Sequence, residues 1–134
     1  HLKHGHYLTD FLCTIPNKRI YFIRGEVDVK ERDEIKKIME NNTNVICVAM
    51  SAIFSTGINI KNLHNIILAS GGKSFVRTVQ SIGRGLRKHA SKNKLIIFDI
   101  CDRLRYGIRH CEKRKAIYNI EKIKYSESTI VEKV

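Results

Sequence analysis

Val45-Ile46-Cys47-Val48-Ala49-Met50 is apolar at every position, so a strand built from it carries hydrophobic side chains on both faces. An antiparallel surface strand alternates apolar with polar; a strand greasy on both sides suits the middle of a parallel sheet covered above and below. Working outward, Asn41-Asn42-Thr43-Asn44 is a turn. Before it, Val29 to Glu40 has the spacing of a charged helix with Ile35, Ile38 and Met39 inward and Asp28 as N-cap. Arg19-Ile20-Tyr21-Phe22-Ile23 is a β-rich run closed by Arg24-Gly25. Leu2 to Leu12 fits a short amphipathic helix with Leu8, Phe11 and Leu12 on its apolar side.

On the other side, Ser51 to Thr56 fits a short helix stopped at Gly57, and Asn65 to Ala69 a second buried strand. Gly71-Gly72 breaks the chain ahead of a helix over Val76 to Lys88. Lys94 to Asp99 is a further strand, and Leu104 to about Tyr118 is helical and very basic. The Ile120, Ile123, Tyr125 spacing fits neither period. Strands alternating with helices predict an α/β domain with a mostly parallel sheet. In such sheets ligands gather at the carboxyl ends of strands. Arg24-Gly25, Ser51 to Asn59 and Ser70 to Ser74 all follow strands in that way.

Composition narrows the class. A chain of 134 residues with 43% hydrophobic residues can bury a core, which argues against disorder. No apolar run approaches the roughly 18 residues of a membrane span. A net charge of +12, from 25 Lys and Arg against 13 Asp and Glu, favours a polyanionic partner, nucleic acid first, with solubility as the plain alternative. Cys13, Cys47, Cys101 and Cys111 contain no CxxC pair, which argues against zinc and reads as reduced, intracellular thiols. His1, His4 and His6 cluster at the start and could bind a metal ion adventitiously.

Chemistry concentrates in Gln80-Ser81-Ile82-Gly83-Arg84-Gly85-Leu86-Arg87. On a helix, Arg84 and Arg87 share a face, with Gln80 one turn earlier. Two guanidiniums side by side suit an oxyanion such as phosphate; the alternative is a solvated basic helix end. Gly72-Lys73-Ser74 imitates the end of a Walker A loop, but that pattern needs glycine at position 67, which is Ile67. Nor does the sequence carry an acidic box for magnesium. Lys73 is therefore read as solvated or DNA-facing.

The order of these stretches resembles the second, C-terminal RecA-like lobe of superfamily 2 helicases. Gly25 with Arg32 is similar to the H-G-x6-R segment, with Arg24 in place of the usual His. Ala49 to Ile60 resembles motif V, and Gln80 to Arg87 resembles motif VI, Q-x-x-G-R-x-x-R. Phe54-Ser55-Thr56-Gly57-Ile58 and Leu86 to Lys92 look closest to UvsW-type DNA helicases of T-even-like bacteriophages.

The resemblance implies a P-loop NTPase-type three-layer α/β sandwich whose first strand falls outside this sequence. It implies a lobe at 1–103, with a basic helix and tail at 104–134 packed on it. By position, Arg84 and Arg87 match the arginine fingers for ATP, and Gln80 the residue coupling nucleotide state to lobe closure. Gly57 and Asn59 fall beside the nucleotide, Asn59 where relatives often carry Asp. Ser51 and Gly25 match contacts to nucleic acid, to which Lys73 is added. Ser51 also has a physical warrant, a helix N-terminus after a strand.

The same resemblance implies ATP and Mg²⁺ held mainly by an N-terminal RecA-like lobe, and branched or single-stranded DNA as partner. It implies a role in recombination and repair in the cytoplasm of a phage-infected bacterium, with no metal site in this lobe and no membrane. An RNA helicase lobe and a catalytically silent nucleic-acid adaptor remain the alternatives.

Overall fold

The computed structural model describes residues 2–25, 28–50, 60, 62–69, 80 and 94–131. In chain order these form α1 (Leu2–Leu12), β1 (Arg19–Ile23), α2 (Val29–Asn41), β2 (Val45–Ala49), β3 (Asn65–Leu68), β4 (Ile96–Asp99) and α3 (Arg105–Ile120). β1 pairs in parallel with β2, from Arg19↔Val45 to Ile23↔Ala49. β3 pairs in parallel with β4, from Asn65↔Ile96 to Leu68↔Asp99. The expected helix over Ser51 to Thr56, the Gly71-Gly72 break and all of the expected Val76 to Lys88 helix except Gln80 lie outside the described residues.

The first pair is built on Ile23 and Ile35, both buried, with Tyr21, Met39, Cys47, Ala49 and Met50 packed around them. α2 thus turns its predicted apolar row onto β1 and β2. Its start at Asp28 matches expectation, yet the carboxylate makes no capping hydrogen bond. The other end is better satisfied. A helix leaves its last four carbonyls without partners, and here asparagine amides supply donors. Asn41 Nδ2 reaches Lys37 O at 2.9 Å and Asn42 Nδ2 reaches Ile38 O at 2.7 Å. Asn62 Nδ2 adds Met39 O at 3.2 Å.

α1 lies on the same pair through Gly5, which is buried. A Cβ at Gly5 would come within 2.6 Å of the Phe22 ring, so the contact depends on the missing side chain. His6 meets Phe22 edge-on, ring centroids 5.0 Å apart. Phe11, expected on the apolar face of α1, is instead exposed.

The second pair packs against α3 through Leu68, Ile117 and Tyr118, with Ile66, Ile97 and Ile123 around them. The expectation that β3 is buried on both faces is not met. Ile67 and its partner Phe98, with Ile96, turn the other way and are exposed. α3 ends in a Schellman arrangement: Ile123 N–H donates to Tyr118 O at 2.8 Å and Lys122 N–H to Asn119 O at 3.2 Å, with Lys122 at φ 56° where glycine is usual. Lys115 then ties the tail down, donating to Glu127 and, at 2.9 Å, to Glu112.

The reading of four reduced cysteines is corrected at two of them. Cys101, just past β4, and Cys111, on α3, form a disulfide with their Cα atoms 5.9 Å apart. In a reducing cytosol the same pair would stand as adjacent thiols. Cys13 is exposed and free, whereas burial pushes the Cys47 thiol up to about 12. The thiolate is the reactive form. In the air-oxidised chain a thiol reagent therefore modifies Cys13 promptly, Cys47 only on unfolding, and the other two only after reductant is added. Four prompt thiols in that assay would refute the pairing.

Candidate functional site

Parallel pairing brings the candidate loops to common edges. β1 and β2 end in register at Ile23 and Ala49, and Met50 N–H continues the ladder to Ile23 O at 3.3 Å. Arg24-Gly25 therefore leaves the sheet beside the point where the chain runs on from Met50. β3 and β4 also end together, with Ile100 N–H on Leu68 O at 3.3 Å. From there β3 leads toward the Gly71-Gly72-Lys73 stretch.

At the first edge, Arg32 on α2 reaches back and donates from Nη2 to Gly25 O at 3.0 Å. The six-residue gap between them thus corresponds to a real contact. Arg32 Nε is buried with no partner among the described residues. Gly25 is exposed, its φ lies outside the left-handed region, and among the described residues a Cβ built on it would meet nothing within 4 Å. The turn itself does not require glycine here, so turn-making loses force as the reason for this residue. Gln80 is helical and half-buried. Ser51, Gly57, Asn59, Lys73, Arg84 and Arg87 lie outside the described residues.

At the second edge stands a cluster that the sequence reading missed. Asp99 Oδ2 accepts from Arg114 Nε at 2.8 Å and from Tyr118 Oη at 2.6 Å, and Oδ1 pairs with Arg114 Nη2 at 2.7 Å. Arg114 is only 1% exposed. Its place was visible in the spacing of Gly107, Cys111, Arg114 and Tyr118, the buried residues of one helix face. Burial, then the hydrogen bond to Asp99 and its charge, raises the Tyr118 hydroxyl well above the ordinary tyrosine value. The basic charges of α3 are thereby sorted. Arg114 points inward, Lys115 is paired, and Arg105, Arg109 and Lys113 face solvent. Tyr118 packs inside, whereas Tyr106 is 72% exposed.

Residues 2–89 match the helicase conserved C-terminal domain. The chain belongs to that family. The helicase domain is RecA-like, and the two parallel strand pairs fit that architecture. This helicase chain is 36% identical, over 97% of its length, to the ATP-dependent DNA helicase uvsW of Enterobacteria phage T4, of which it covers 29%. It is also 28% identical, over 59% of its length, to a protein of Sulfolobus islandicus filamentous virus whose name marks it as a candidate helicase, covering 14% of that protein. The helicase chain thus spans less than a third of the length of these relatives. No helix among the described residues is long and apolar enough to cross a membrane.

Proposed function

We propose that the chain is the C-terminal lobe of an ATP-dependent DNA helicase or translocase that remodels branched DNA in the cytoplasm of a phage-infected cell. The observation that carries this reading is the likeness to the phage T4 enzyme over 97% of the chain. Residues 1–103 form the lobe, and 104–134 add a basic helix and tail packed on it. Arg84 and Arg87 act as arginine fingers on ATP held by an N-terminal lobe, with Gln80 relaying nucleotide state and Gly57 and Asn59 beside the nucleotide.

Gly25, Ser51 and Lys73 contact the DNA backbone. For Gly25, the support is a glycine that its own turn does not need, at the carboxyl end of a parallel strand. For Ser51, it is the in-register end of β2 immediately before it. The sequence has no Walker A loop. In this reading ATP and Mg²⁺ are held mainly by the other lobe, and this chain supplies charge to a nucleotide bound there.

Two outcomes follow. By itself the chain hydrolyses no ATP, and it binds DNA weakly with affinity that falls steeply as salt rises. In the complete polypeptide, ATP hydrolysis is stimulated more by branched DNA than by RNA. DNA-stimulated hydrolysis by the isolated chain would overturn the first expectation, and preferential stimulation by RNA the second.

A further inference from the structure

The exposed face of α3 carries Arg105, Arg109 and Lys113 at successive intervals of four residues. On a helix such residues stand one above the next, about 6 Å apart along the axis. Tyr106, three before Arg109 and seven before Lys113, lies on the same face and is 72% exposed. Gly107, Cys111, Arg114 and Tyr118 form the helix's buried face and point away from it, and the row ends where Ile117, four residues past Lys113, is buried. The family match ends at residue 89, so this row lies beyond it.

A solvated helix face does not explain the arrangement well. Like charges four apart repel, costing about 0.2–0.5 kcal/mol per pair, and the row contains two such pairs in succession. Cations also oppose the helix dipole near the N-terminus, and no acidic residue occupies the first turn of α3. Glu112, beside Lys113 in the chain, is engaged by Lys115, and the Asp102 carboxylate at the start of the helix accepts from Leu104 N–H at 3.0 Å. Among the described residues, Arg105, Arg109 and Lys113 have no ion-pair partner. The row is thus electrostatically unfavourable in the free chain, and an exposed aromatic ring sits inside it.

We propose that this face of α3 is a second nucleic-acid contact, separate from the loops at the strand ends. Arg105, Arg109 and Lys113 track the phosphates of one strand, and Tyr106 stacks on an unpaired base. Charge complementarity selects a polyanion, and the ring among the cations favours a single strand over an acidic polypeptide. The proposal rests on the nucleic-acid reading of the lobe and adds a surface to it.

The test is fluorescence anisotropy of the 134-residue chain with labelled oligothymidylate and with a duplex, over a salt series. Substituting Arg105→Ala, Arg109→Ala and Lys113→Ala together should flatten the single-strand salt slope by about 2, at roughly 0.7 per phosphate. Removing the same charge at scattered exposed sites, Lys3→Ala, Lys18→Ala and Lys37→Ala, should leave the slope nearly unchanged. Tyr106→Ala should weaken single-strand binding roughly 5- to 150-fold while leaving duplex binding as it was.

The parent chain binding normally, with the row and scattered variants alike, would show a solvated face and overturn the proposal alone. No binding by the parent at low salt would overturn the nucleic-acid reading and the proposal together. If the row variant lost polyglutamate as strongly as oligothymidylate and Tyr106→Ala changed neither, the face would belong to an acidic protein instead. Circular dichroism should show the row variant at least as stable as the parent, because the repulsion has been removed.

Discussion

Replacing Arg84 or Arg87 with alanine in the complete helicase polypeptide should lower ATP turnover by about 10³- to 10⁵-fold. Nucleotide binding should stay within a few-fold of the parent. The asymmetry follows from where the charge acts. In phosphoryl transfer, negative charge spreads over the equatorial oxygens and the leaving group, and a guanidinium reaching them from a second lobe stabilises that state more than bound ATP. Lysine should not rescue either position, since a point ammonium lacks the planar fork that meets two oxygens at once. Single-turnover hydrolysis and titration of a fluorescent nucleotide analogue separate the two effects. Normal turnover in either variant would remove that arginine from the assignment. A parallel loss of nucleotide binding would make it a ground-state ligand instead.

The sequence and the structure agree most closely where one physical cause dominates. Arg19–Ile23 and Val45–Ala49 emerge as strands because β-branched and aromatic residues fill them and turn-formers stop them. α2 emerges because Ile35, Ile38 and Met39 recur at the helical interval above a run of charges. The Gly25 and Arg32 spacing was legible as a motif, and the hydrogen bond between them gives it a geometric meaning.

Disagreements arise where the outcome depends on what covers a surface. An apolar run such as Asn65 to Ala69 does not say which of its faces is packed, and Ile67 with Phe98 is left exposed. Cysteine spacing does not fix pairing either, because Cys101 and Cys111 are joined by the way α3 turns back on β4. A count of charge does not separate Arg114 from Arg109 on α3, whereas helical periodicity puts Arg114 in line with Cys111 and Tyr118. Of the candidate site, the described residues bear on Gly25 and Gln80, and the remaining roles rest on motif order.

Asp99→Ala should cost about 3–5 kcal/mol of folding stability, the usual cost of stripping one partner from a buried ion pair. That is a large part of the 5–15 kcal/mol typical of a domain. Arg114, 1% exposed, would then keep a buried cation that, among the described residues, has no partner for Nη1 and retains only Cys101 Sγ, at 3.5 Å, for Nη2. Arg114→Leu should be milder, because the Asp99 side chain is 15% exposed and keeps the Tyr118 hydroxyl as a donor. Combining Asp99→Ala with Arg114→Leu should recover much of the single-variant loss, since neither charge is then stranded in the core. Additive losses in urea unfolding would show that packing, rather than charge pairing, sets the cost. Tyr118 adds a pH signature. Its hydroxyl pKa is raised on folding, so its contribution is complete below the ordinary tyrosine value of about 10 and is lost as pH rises beyond it. Tyr118→Phe should lower stability at neutral pH by about 1.5–3 kcal/mol, as for a hydrogen bond to a charged group, and should remove that part of the alkaline decline. If the decline persisted unchanged in Tyr118→Phe, other groups would be its source, and Tyr118 would serve the cluster through packing alone.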